Sequence, residues 1–103
     1  MNVEHWDPAR DGALTETSLR IKLEQLGYSV SRYIYPPGTC FPDHTHSVDK
    51  IDAVLSGRLR ITTHEGVADL CAGDAIYVPR GVMHSAEVIG QETVVSLDAV
   101  KVR

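Results

Sequence analysis

Apolar and polar residues follow two different rhythms along this chain, and the change comes at Gly27. Before it, "LTETSLRIKLEQLGY" places Leu19, Leu23 and Leu26 at helical spacing, a narrow apolar stripe that must lie against something. Thr15 is suited to cap the N-terminus of this helix, with Leu14 and Leu19 spaced as a hydrophobic staple. Gly27 is suited to end it in the left-handed conformation. A helix over about 15–26, packed on a sheet or on a second subunit, is the expectation.

After Gly27 the pattern turns to short runs rich in Val, Ile, Leu and Tyr, broken by turn residues. "YSVSRYIY" stops at Pro36-Pro37-Gly38, which cannot continue a central strand. "ITTHEGVADL" predicts a hairpin turning at Glu65-Gly66, and "VIGQETVV" a second at Gly90-Gln91. Ser56-Gly57 and Ala72-Gly73-Asp74 mark further turns. Residues 1–13 show little periodicity and read as an arm or loose lead-in. One N-terminal helix followed by about eight strands over 28–103 gives an all-β barrel or jelly roll.

Composition narrows the class without changing it. At 103 residues the chain is expected to form one domain around one core. Its 43% apolar and 23% charged residues are those of a soluble globular protein. A net charge of −4, with no basic run, argues against nucleic acid as a partner. No apolar run approaches the roughly 20 residues of a membrane span. "MNVEHWDPARDG" lacks the basic and apolar regions of a signal peptide, so a cytoplasmic location is expected. The two cysteines, Cys40 and Cys71, are then expected as reduced thiols, and the absence of Cys-x-x-Cys excludes a zinc knuckle.

His44 and His46 fall at i and i+2 of a predicted strand, so their rings share a face. A lone His-x-His pair is a weak sign of metal, but the surroundings carry more. The first segment runs Gly38, five residues, His44, one residue, His46, three residues, Lys50, six residues, Gly57. The second runs Gly73, five residues, Pro79, one residue, Gly81, two residues, His84, three residues, Val88. Together they resemble the two motifs of the cupin superfamily, departing only where Lys50 replaces a glutamate and Val88 an asparagine. The short gap between them, residues 58–72, resembles that of small bacterial cupins.

The resemblance implies a double-stranded β-helix whose lumen binds one divalent transition metal. Carried over by position, His44, His46 and His84 are the implied ligands. Imidazole donors suit Mn, Fe, Ni, Cu or Zn and do not choose among them. Three-histidine sites occur in the superfamily, so the missing glutamate does not exclude metal; a barrel retaining its histidines without metal is the alternative.

The family glutamate faces the lumen, which implies the same of Lys50 and, by strand parity, Asp52. An ammonium about 4 Å from a divalent ion is repelled by roughly 8 kcal/mol at an effective dielectric near 20, too much to stand alone. Lys50 could pair with Asp52 or Asp49, lose its proton beside the ion, or meet an anionic substrate. Asp52 could itself serve as a replacement ligand, although it lies about 6–7 Å further along the strand. Cys40 shares the face of His44 and His46 if the strand is regular, and then lines the lumen; it could equally be a small buried hydrophobe. Tyr33 and Tyr35 read as packing, Val88 as an apolar wall, and His5 and His64 as solvated.

The function implied is a metal-dependent enzyme, dioxygenase- or isomerase-like, on a small organic substrate. The alternative is a non-catalytic sensor or binding cupin, possibly without metal. Small cupins are commonly homodimers, and the helix stripe with an open sheet edge suits one.

Overall fold

The computed structural model describes residues 1–102. They form nine strands and two helices, in the order β1 (Asn2–His5), α1 (Pro8–Asp11), α2 (Glu16–Gln25), β2 (Tyr28–Tyr35), β3 (Cys40–His44), β4 (Lys50–Ser56), β5 (Leu59–Thr63), β6 (Gly66–Leu70), β7 (Asp74–Val78), β8 (His84–Val88) and β9 (Val94–Lys101). The strands build two antiparallel sheets, one ordered β1-β7-β4-β9-β2 and the other β3-β8-β5-β6. This arrangement fits a double-stranded β-helix. Among the described residues no helix is long and apolar enough to cross a membrane.

The five-stranded sheet buries apolar residues on both faces. Val54, Ile76, Val78 and Val94 pack inward against Leu59, Ile61, Leu70 and Val88 of the facing sheet. Ile51, Ala53, Leu97 and Ala99 point outward and are covered by Leu19 and Leu23 of α2. The helix therefore spends Leu19 and Leu23 on its own sheet. Leu26, expected in the stripe, is 49% exposed because the helix ends at Gln25 and Gly27 takes φ 92°. The predicted start is as expected: Thr15 accepts from the Ser18 amide at 3.0 Å, and Ser18 Oγ accepts from the Thr15 amide at 2.9 Å.

Four expectations are corrected. The lead-in is neither loose nor without structure, since β1 pairs with β7 in full register and Val3 packs on the core between the sheets. A second, one-turn helix, α1, follows it, capped by Asp7, whose Oδ1 accepts from the Ala9 amide at 3.0 Å, with Pro8 in its first turn. The chain thus has two helices before the barrel strands, where one was expected. "VIGQETVV" is not a hairpin: β8 and β9 lie in different sheets, and residues 89–93 carry the chain from one to the other. The β5–β6 hairpin exists, but it turns at His64-Glu65, one residue earlier than expected.

Candidate metal centre

β3 and β8 pair at one end of the four-stranded sheet, placing His44 opposite His84 in the register. Their ring centroids are 4.2 Å apart. His46 follows β3 in a loop and brings its ring within 4.8 Å of His44 and 5.1 Å of His84. That loop is tied down by the Gly81 amide, which donates to the His46 carbonyl at 2.9 Å, so the two sequence motifs meet through the backbone. Nearby, the Arg80 amide donates to Asp49 Oδ1 at 2.9 Å.

Hydrogen bonding selects the tautomers of two of the rings. His44 Nδ1 is 2.7 Å from the Pro42 carbonyl and His84 Nδ1 is 3.0 Å from the Val82 carbonyl. A carbonyl only accepts, so each Nδ1 carries the proton and each Nε2 presents a lone pair. His46 Nε2 is buried without a hydrogen-bond partner. One donor atom from each of the three rings lies within 4.8 Å of the others. Burial, and then the charge of Lys50, hold the His46 imidazole below its ordinary pKa, with the neighbouring rings adding to the effect. These features fit a divalent transition metal, whose bonds to imidazole nitrogen run about 2.0–2.1 Å for zinc.

The rings open onto a cavity of about 200 Å³ between the sheets. Phe41, Leu59 and Ala86 give it an apolar side, and Tyr35, Lys50, Asp52 and Asp98 a polar wall on the five-stranded sheet. Lys50 and Asp52 both face the lumen, as parity on β4 required. Lys50 Nζ lies 3.4 Å from Asp52 Oδ1, so the lysine pairs with that carboxylate rather than with Asp49. Asp52 is not among the residues whose donor atoms converge with the histidines.

Cys40 is outside the lumen. The β3–β8 register shifts between Phe41 and His44, where three steps on β3 oppose two on β8. This bulge inverts the parity, so Phe41 rather than Cys40 shares the cavity with His44. Cys40 is exposed, its sulfur 3.9 Å from Glu87 Oε2.

Asp98 and Tyr35 are the residues that sequence reasoning missed. Tyr35 donates from its hydroxyl to Asp98 Oδ2 at 2.8 Å, and Ser96 donates to Asp98 Oδ1 at 2.5 Å. Burial, and then the charge of Asp52, raise the Asp98 pKa, while Ser96, Tyr35 and Lys50 pull against them. Burial and the same two carboxylates raise the Tyr35 phenol well above its ordinary value, keeping it a neutral donor. One signal was available: Ser96 and Asp98 alternate with Leu97 and Ala99, which marks a polar face inside an apolar strand. Tyr35 also packs edge-on against Phe41 at 5.0 Å, so it combines the packing role expected with a polar one.

A family model described as a cupin domain matches residues 31–100. Solved structures resemble the fold at low identity. A cupin superfamily protein from Desulfitobacterium hafniense aligns with TM-score 0.65 and 20% identity, over 74% of this chain and 68% of that one. A DMSP lyase from Ruegeria pomeroyi aligns with TM-score 0.66 and 19% identity, over 74% of this chain and 39% of the lyase. A variant of Bacillus subtilis oxalate decarboxylase aligns with TM-score 0.65 and 27% identity, over 73% of this chain and 22% of the decarboxylase. No curated protein sequence matches the chain.

Proposed function

This chain belongs to the cupin family, and from that premise we propose that it is a metal-dependent enzyme of dioxygenase or isomerase type, acting on a small organic substrate in the lumen. The observation that carries the reading is the set of three converging imidazoles. His44 and His84 have their Nδ1 protons engaged by backbone carbonyls, and His46 Nε2 is buried without a partner. Backbone acceptors of this kind fix ring orientation and raise the basicity of the opposite nitrogen.

His44, His46 and His84 would hold the ion. When bound, a divalent transition metal supplies Lewis acidity toward a carbonyl or enol oxygen, and redox capacity where the ion changes oxidation state. The chain's own residues supply the rest. Phe41 and Leu59 exclude water from one side of the cavity, and Tyr35 offers a neutral hydroxyl whose orientation Asp98 fixes. Asp98, with its raised pKa, is suited to hold or release a proton close to the ligand. Two of the structural neighbours carry enzyme names, a lyase and a decarboxylase, which favours catalysis in general and neither reaction in particular.

A second reading, non-catalytic binding of a small molecule, is favoured by Lys50. It stands where the family motif has a metal-binding glutamate, and Asp52 is within ion-pair distance of it.

Elemental analysis of protein purified without a histidine tag or added metal tests the first reading. The expected result is near-stoichiometric metal that is lost in His44→Ala and His84→Ala. A metal-free protein whose melting temperature ignores added Mn, Fe, Ni and Zn overturns it. With metal present, dioxygen uptake on catechols, flavonols and 1,3-diketones separates oxygenase chemistry from binding.

A further inference from the structure

Two charged side chains in the lumen are not used by the histidine cluster. Lys50 and Asp52 stand two residues apart on β4 and both line the cavity. Their side chains are only 13% and 10% exposed, and the atoms Nζ and Oδ1 are 3.4 Å apart. The distance is that of an ion pair, yet Asp52 Oδ1 is buried with no hydrogen-bond partner. The contact therefore offsets charge without satisfying the carboxylate oxygen's lone pairs or engaging the ammonium's donors with it. Buried polar atoms in folded proteins nearly always have partners, and Asp52 Oδ1, on a side chain that lines the cavity beside Lys50, has none.

We infer that Lys50 and Asp52 form a recognition pair for small organic anions that carry a hydroxyl on the carbon next to the charged group. The Lys50 ammonium donates to an oxygen of the anion, and the Asp52 carboxylate accepts from the hydroxyl. A donor and an acceptor 3.4 Å apart fit groups on adjacent atoms of one ligand, not groups at its two ends. Asp98, the other carboxylate on this wall, already accepts from Ser96 and Tyr35. The cavity of about 200 Å³ is smaller than the ~300–1,000 Å³ of sites for drug-sized ligands, which suits a ligand of a few carbons. The inference rests on the lumen being the ligand site, as in the preceding reading, but not on a metal being present.

Calorimetric titration with lactate tests it, against propionate (no hydroxyl) and lactamide (no charge). Tag-free protein is used as purified and after chelator treatment. Lactate is expected to bind at least about tenfold tighter than each analogue, since a site built around a ligand hydroxyl rejects a ligand lacking it. Because lactate also ligates metals, the variants decide the assignment. Lys50→Met should abolish the preference over lactamide while Lys50→Arg keeps it. Asp52→Ala should abolish the preference over propionate, with Asp52→Asn, which retains a neutral acceptor and the shape of the side chain, keeping part of it. Melting curves establish that each variant is folded. The inference is overturned if wild type shows no preference for lactate, if folded Lys50→Met retains the preference over lactamide, or if folded Asp52→Ala retains the preference over propionate. A preference that persists in metal-free protein upholds the pair even where the metalloenzyme reading fails. Stoichiometric metal with no preference does the reverse.

Discussion

Asp52 and Asp98 stand directly opposite each other on neighbouring strands of the five-stranded sheet, two carboxylates lining one cavity. Like charges in that arrangement oppose each other, and the surrounding groups compensate unequally. Asp52 has Lys50 at 3.4 Å, whereas Asp98 has two neutral hydroxyl donors.

This asymmetry gives a pH-dependent stability. The folded pKa of Asp98 lies above its ordinary value, so on folding the group takes up a proton that the unfolded chain has released. Its contribution to stability is largest below the ordinary carboxylate pKa and falls as pH rises through the raised one. Asp98→Asn removes the ionisation and keeps an acceptor for Tyr35. In chelator-treated protein, the melting temperature of the variant relative to wild type should climb in the variant's favour as pH rises above the ordinary carboxylate pKa of about 4. A pH-independent difference would mean that Asp98 is ionised throughout.

Lys50→Glu restores a carboxylate at the motif position and removes a cation from the lumen. Metal should bind at least about tenfold more tightly, measured by competition with a chromophoric chelator. Without metal the new glutamate joins Asp52 and Asp98 on one wall, so the apo variant should melt below apo wild type and recover when metal is added. Unchanged metal affinity would place Lys50 too far from the site to matter.

The motif glycines should differ in their tolerance of alanine. At Gly57, φ is 81° and an added Cβ would meet the Thr93 carbonyl oxygen at 2.7 Å and Val94 Cα at 2.9 Å. At Gly38, φ is 86° but the space is open. Gly38→Ala should therefore cost only the conformational strain, about 1–2 kcal/mol. Gly57→Ala should cost clearly more, because backbone must move. Chemical denaturation compares the two, and equal losses would contradict the packing at Gly57.

The helix should be separable from the site. Thr15→Ala removes the cap and should cost about 1 kcal/mol, a fall of roughly 4–8 °C in Tm for a domain of this size. Leu23→Ala, in the layer between α2 and the sheet, should cost about 2–5 kcal/mol. Metal content per folded molecule should be unchanged in both. Loss of metal in a folded variant would tie the outer layer to the lumen.

The parts of the fold legible in the sequence are those governed by neighbouring residues. Thr15 caps the helix, and Gly27 ends it one position after Leu26. Within β4, period-two alternation alone puts Lys50 and Asp52 on the lumen side and Ile51 and Ala53 beneath the helix. The same rule failed for Cys40, because a single bulge between Phe41 and His44 exchanges the faces. It also failed at Gly90-Gln91, where a turn-like stretch joins strands of different sheets.

By itself the sequence determined the family, through two spaced sets of glycine, proline and histidine, and the residues expected to converge, His44, His46 and His84. It did so because spacing within a strand or turn is a local property. Only the tertiary structure decided which partner Lys50 takes, that Asp98 and Tyr35 complete the wall opposite the histidines, and that Cys40 lies outside. Those relationships depend on the register between strands far apart in the chain. Register is set by the packing of both sheet faces at once, which no short window of residues contains.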